Sequence, residues 1–193
     1  MHKTMFSTFI IKDILWLISK LFLWVTGWKV VDEDIKNHKK FVMIAAPHTS
    51  NWDLPYMLAI CFVLKVQPYW MGKSQIFKFP FKGMMKWMGG IPIDRSKANN
   101  VVEATAEIMK QSEELIVTIP PEGTRSKVRY WKTGFYHIAN LSNVPIVLGF
   151  LDYKNKEGGI GGMIQPTGNL EDDMVKIKAF YQPISGKNDS ETV

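Results

Sequence analysis

Short apolar runs of strand length, alternating with helical stretches, constrain this chain more than any other feature. The runs are Phe41–Pro47 (FVMIAAP), Val66–Met71, Ile91–Arg95, Leu115–Pro120 (LIVTIP) and Val144–Tyr153. A continuous apolar run without alternation reads as a strand covered on both faces. Leu54–Leu64, Lys78–Met88, Asn99–Ser112 and Trp131–Leu141 read as helices, the second stopped by Gly89-Gly90. Lys154–Gly162 reads as a hairpin-like turn. Strands alternating with helices predict an α/β fold, a mostly parallel sheet flanked by helices. In such sheets ligands collect beyond the carboxyl ends of the strands. His48, Arg95 and Glu122 each fall at or just after a predicted strand end.

The N-terminal stretch FSTFIIKDILWLISKLFLWV is apolar but broken by Lys12, Asp13 and Lys20. None of its uncharged stretches reaches the roughly 18 residues of a spanning helix. Nor does a small-residue cleavage site follow an apolar core, as a secretory signal requires. At helical spacing Thr8, Lys12, Asp13, Ser19, Lys20 and Thr26 form a narrow polar stripe. That pattern predicts an N-terminal amphipathic helical membrane anchor lying in the interface, with a helix packed on the core as the alternative. The expected organisation is a membrane-associating helical segment over 1–34 and an α/β domain over 35–193.

Lys and Arg outnumber Asp and Glu 24 to 18, which suits an anionic partner such as a membrane surface or a phosphorylated substrate. No nucleic-acid-binding motif accompanies the charge, and nucleic acid is not expected as a partner. Cys61 is the single cysteine, so neither an internal disulfide nor a cysteine-based metal site is available. Its apolar setting (MLAICFVL) predicts a core position.

His48 and Asp53 frame the segment HTSNWD. Histidine is suited to take a proton near neutral pH, and a carboxylate on its other ring nitrogen fixes the tautomer. The competing reading makes Asp53 a helix cap and His48 the end of a strand. Further along, Lys73 and the strand-ending Arg95 offer phosphate contacts, or form a solvated basic face. Glu122-Gly123-Thr124-Arg125 follows an apolar strand: a turn, or a loop with a close-approach glycine, a hydroxyl and a second guanidinium. Met84, Met85 and Met88 line either an acyl channel or the core.

Taken in order, His48…Asp53, GGIPIDR (89–95), PEGTR (121–125) and VPIV (144–147) resemble the four blocks of the lysophosphatidate and glycerol-3-phosphate acyltransferase superfamily. The resemblance covers roughly residues 40–150. It implies that His48 and Asp53 are a catalytic dyad, and that Arg95 with Glu122, Gly123, Thr124 and Arg125 shapes the acceptor site, with Lys73 helping to bind phosphate. It implies direct acyl transfer from acyl-CoA or acyl carrier protein to a lysophosphatidate-like hydroxyl, without metal or cofactor. The setting implied is a peripheral or monotopic protein on the cytoplasmic face of the inner membrane, with membrane lipids as partners. Departures at Pro47, Pro92, Pro120 and Leu148 flank the acceptor side. The rival readings are an acyl-thioester hydrolase, an acyltransferase for a non-phosphate lipid, and a non-catalytic lipid-binding protein.

Overall fold

The computed structural model describes residues 2–33, 35, 38–93 and 99–188. The chain runs α1 (Ile11–Thr26), β1 (Lys29–Asp32), β2 (Lys40–Ala46), α2 (Asp53–Leu64), β3 (Pro68–Lys73), α3 (Lys82–Trp87), β4 (Gly90–Ile93), α4 (Asn99–Gln111), β5 (Leu115–Ile119), α5 (Gly134–Ser142), β6 (Ile146–Asp152), β7 (Glu157–Ile164) and α6 (Leu170–Tyr181). Among the described residues the strands form one seven-stranded sheet, ordered β1-β7-β6-β2-β5-β3-β4. Every neighbouring pair is parallel except β6 with β7. This is the mostly parallel, helix-flanked sheet that the alternating pattern predicts.

Alternate residues of β2 sort the two faces. Val42, Ile44 and Ala46 join Met109 of α4, Phe135 and Ile138 of α5 and Ile177 of α6. Phe41 and Met43 point the other way, to Cys61 of α2 and Ile160 of β7. Both faces are covered, which is why β2 reads as an unbroken apolar run. Fully burying such side chains contributes about 1.5–3 kcal/mol each. Cys61 lies in the core as expected, and burial pushes its thiol up to about 12.

Several boundaries differ from the sequence reading. The predicted helix over 78–88 is an exposed Phe79-Pro80-Phe81 stretch and then the shorter α3, with a 3-10 turn (Ser74–Phe77) just before it. Pro80 explains the break, because it has no amide hydrogen for an upstream carbonyl. Six of the nine residues of the expected turn over 154–162 belong to β7. Glycine hides that strand from propensity, yet geometry requires it: a Cβ on Gly159 would sit 1.9 Å from the Val31 carbonyl oxygen, so only glycine lets β1 and β7 meet. The 1–34 segment is therefore not wholly helical, since β1 pairs in register with β7.

α1 is not simply polar on one side. Ser19 and Leu23 are buried, and the Phe22 ring lies 5.0 Å from that of Tyr56 of α2, tilted against it. Thr26 turns its hydroxyl onto the Phe22 carbonyl within its own helix. The outer face carries Ile14, Leu17, Ile18, Leu21, Trp24 and Val25, all exposed. No helix among the described residues is long and apolar enough to cross a membrane.

Candidate active site

β6, β2 and β5 lie side by side and parallel, so their carboxyl ends open on one edge of the sheet. The chain leaving β2 carries His48, the chain leaving β5 carries Glu122, and the chain leaving β6 carries Tyr153. These three residues and Asp53, the first residue of α2, form one connected group.

Asp53 is its centre. His48 Nδ1 lies 3.0 Å from Asp53 Oδ2, and the backbone amides of Thr49 and Ser50 each donate to the same oxygen at 2.8 Å. The Tyr153 hydroxyl donates to the other oxygen, Oδ1, at 2.9 Å. Burial alone would push the Asp53 pKa up. The bonds from His48, the Ser50 amide and Tyr153 outweigh that and hold it below the usual carboxylate range. An ionised Asp53 can only accept, so neutral His48 must carry its proton on Nδ1. Its lone pair is then on Nε2, the state a general base needs. The side chain of His48 is 28% exposed while that of Asp53 is 7% exposed, so the imidazole reaches outward from a buried support.

Tyr153 is held in place by rings. Its ring meets Trp28 edge-on at 5.0 Å and Tyr56 at 5.8 Å, and Trp28 stacks on Tyr56. Burial, together with the Asp53 carboxylate beside it, pushes the phenol pKa up, so it remains a donor. Asn188 closes the loop from the other side, its backbone amide donating to Thr49 Oγ1 at 3.2 Å and its side-chain amide to the Thr49 carbonyl at 2.8 Å.

Glu122 is buried, and its Oε1 accepts the His48 backbone amide at 3.3 Å. Burial pushes its pKa up, against hydrogen bonds from its own amide and that of His48. Its Oε2 has no hydrogen-bond partner among the described residues. Gly123 follows with φ +67°, and Lys132 lies against it: a Cβ there would come within 2.5 Å of Lys132 Nζ. Lys132 is tied to the same loop by its amide, which donates to the Pro121 carbonyl at 2.8 Å.

A cavity of about 690 Å³ begins at His48 and Asp53. Its walls are largely apolar and include Met57, Leu58, Met71, Met88, Val102 and Phe135. Of the three methionines singled out in the sequence, only Met88 lines it, and Met84 is exposed.

The structure thus brings together His48, Asp53, Glu122 and Gly123. It does not bring Lys73, Thr124 or Arg125 to the cavity. β3 pairs with β5 only through Pro68 and Tyr69 and then with β4, so its end carries exposed Lys73 away from the β2 and β5 ends. Thr124 and Arg125 stand exposed on the loop beyond Gly123. Arg95 lies outside the described residues. Lys132 is the one cation among the described cavity-lining residues. Sequence reasoning missed both Lys132 and Tyr153. Tyr153 ended a predicted strand, as His48 nearly did, and that position was the available signal.

Tyr153→Phe should lower kcat about 5- to 30-fold and leave KM nearly unchanged, from losing one charge-assisted bond worth about 1–2 kcal/mol in the transition state. With that bond gone the Asp53 pKa rises toward the ordinary carboxylate range, so the stability lost on acidification should be smaller than in wild type. Unchanged kcat with an unchanged acid melt would limit Tyr153 to packing.

Comparison with known proteins places this fold in a family. The model of the acyltransferase family matches residues 27–148. A 1-acyl-sn-glycerol-3-phosphate acyltransferase of Haemophilus influenzae is 30% identical over 124 residues, covering 61% of this chain and 50% of that protein. The chain therefore spans about half the length of the relative it matches. The crystal structure of the 1-acyl-sn-glycerophosphate (LPA) acyltransferase PlsC from Thermotoga maritima shares the fold, with a TM-score of 0.61 and 18% identity over 90% of this chain and 78% of that one. The matched span runs from the end of α1 into β6 and contains the whole His48–Asp53 loop and Glu122, so the chain belongs to the acyltransferase family.

Proposed function

We propose that this protein transfers a fatty acyl group from an acyl thioester, acyl-CoA or acyl carrier protein, to the hydroxyl of a lysophosphatidate-like glycerolipid at a membrane surface. The observation that carries the proposal is the buried, ionised Asp53 holding His48 at the mouth of a large apolar cavity. Its volume falls within the roughly 300–1,000 Å³ range of small-molecule sites. An apolar lining suits an acyl chain, and the dyad at its mouth would meet the carboxyl end of that chain.

His48 Nε2 takes the proton from the acceptor hydroxyl as that oxygen attacks the thioester carbonyl. The tetrahedral oxyanion collapses, the carbon–sulfur bond breaks, and the leaving thiolate takes the proton from the imidazolium. Asp53 supports the imidazolium charge while it exists, and Tyr153 and the Thr49 and Ser50 amides hold Asp53 still. Glu122 fixes the backbone of His48 and thereby the height of the ring.

The exposed apolar stripe of α1 would rest in the membrane interface, with Lys12 and Lys20 near its edges. Trp28, just after α1, touches the ring of Tyr153, so the proposed membrane helix and the dyad share a contact.

An anionic acceptor is favoured by Lys132 beside Gly123, and the family resemblance adds Arg95. Wild-type protein should use lysophosphatidate well and monoacylglycerol poorly. Lys132→Met should raise the apparent constant for lysophosphatidate about tenfold, the loss of one charge-assisted contact of about 1.5 kcal/mol. The constant for the acyl donor should change much less. Equal use of the two acceptors by the wild type would remove phosphate recognition from the proposal.

A further inference from the structure

Between Asp53 and Asp94 the sequence holds five lysines and no acidic residue. Four of them fall from the last residue of β3 onward and before β4: Lys73, which ends the strand, and Lys78, Lys82 and Lys86 in the connection. The same stretch carries the most exposed large apolar side chain among the described residues. Phe79 is 96% exposed, and Ile76, Phe81 and Met84 are exposed with it. Lys78 and Lys82 bracket Phe79-Pro80-Phe81, giving an aromatic tip between two cations.

This tip is firmly mounted. Phe77, next to it, is buried and packs its ring 5.8 Å from Trp70. Gly72 and Gly90 leave the room that Phe77 fills, since a Cβ on either would approach its ring within 2.8 Å. The N-terminal segment fastens α3 from outside: the Met5 amide donates to the Trp87 carbonyl at 2.8 Å, the Trp87 indole donates to Thr8 Oγ1 at 3.0 Å, and the His2 ring contacts the Lys86 carbonyl at 2.7 Å. Beyond Thr8 come Phe9 and Ile10, both exposed, and then α1. The apolar surface of 76–87 therefore adjoins the foot of α1. Behind it stand Trp70, Met71 and Met88, which line the cavity.

An exposed aromatic tip costs solubility unless something covers it. A run of lysines without acidic residues in this segment selects an anionic cover, and the width of the combined surface suits a sheet of headgroups. We infer that the Lys78-Phe79-Pro80-Phe81-Lys82 tip is a second membrane contact, inserting Phe79 and Phe81 between the headgroups of an anionic bilayer beside the cavity wall. This builds on the proposed interfacial seating of α1 and adds a second point of attachment. Two separated contacts fix the tilt of the domain, where a single helix would leave it free to swing.

The test places an environment-sensitive NBD probe on a cysteine at one of three positions in the full chain: Phe79→Cys, Leu21→Cys on the outer face of α1, and Lys110→Cys on α4, which packs on the opposite side of the sheet. Native Cys61 is buried with a raised thiol pKa and does not compete for label. With vesicles of mixed phosphatidylglycerol and phosphatidylcholine, probes at 79 and 21 should shift to the blue and be quenched by spin-labelled lipid, while the probe at 110 should not. Lys78→Gln with Lys82→Gln should weaken binding to these vesicles roughly 25-fold, about fivefold per lysine, and leave the weak binding to pure phosphatidylcholine unchanged. Circular dichroism checks that each variant is folded. A probe at 79 that stays in water while the probe at 21 is buried overturns the second contact and leaves the α1 reading intact. If both stay in water, both are overturned. Lipid-independent self-association that buries the probe at 79 would assign the tip to a second copy of the chain, and would also overturn the inference.

Discussion

His48→Ala protein is expected to remain folded and to lose acyl transfer by about 10²–10⁴-fold, the usual contribution of a positioned general base. The side chain is partly exposed, so its removal opens little buried space. Asp53 keeps its bonds from the Thr49 amide, the Ser50 amide and Tyr153, so the loop keeps its shape. Glu122 keeps its bond as well, because it accepts from the backbone of residue 48 rather than the ring. Thiol release from an acyl thioester, measured with a thermal melt on the same sample, separates lost chemistry from lost structure. A folded variant within a few-fold of wild type would remove His48 from the reaction.

Asp53 substitutions should divide by what they leave behind. An Asn at 53 can place its oxygen where Oδ2 sits, accepting the two amides and His48 Nδ1, and turn its NH2 toward the Tyr153 oxygen. Geometry and tautomer survive, while the charge that supports the imidazolium does not. A loss of roughly 10- to 100-fold in kcat follows, smaller than for His48→Ala. Asp53→Ala strands the Thr49 and Ser50 amides, so it should also cost about 2–5 kcal/mol of stability. The pH dependence has a definite sign. Because the Asp53 pKa is lowered on folding, its ionisation stabilises the native state above the unfolded carboxyl pKa. That contribution is lost as pH falls through the lower folded value. The stability gap between wild type and Asp53→Asn should therefore narrow in acid, as denaturant melts at pH 7 and pH 3 would reveal. A constant gap would mean that the native fold gains nothing from the charge.

The sheet and the core of the site were legible because they rest on short-range signals. Apolar runs ending at Pro47 and Pro120 located two strand ends, and parallel order then required His48 and Glu122 to share an edge. Tyr153 was not legible as part of the site. It meets Asp53 across 100 residues, and only the β2–β6 register decides which residue after β6 arrives there. Lys73 lies apart from the cavity for a related reason. Sequence order assigned Lys73 to the pocket, but β3 parts from β5 after Tyr69. Lys132 reaches the cavity because its own amide is tied to Pro121, a loop contact with no periodicity to announce it. β7 was hidden by its glycines. α6 begins with an Asn169 cap and carries three acidic residues in its first turn, a start signal that the sequence reading passed over.

The central claim is acyl transfer rather than hydrolysis, with His48 acting on an acceptor hydroxyl. The most direct measurement follows thiol release and ester formation together, in one sample of purified protein, acyl thioester and lysophosphatidate in anionic vesicles. Equal amounts of thiol and new ester are expected, with thiol release falling to near background when the acceptor is left out and when His48 is Ala. Thiol release that continues without acceptor and yields free fatty acid would contradict the account and make the protein a hydrolase.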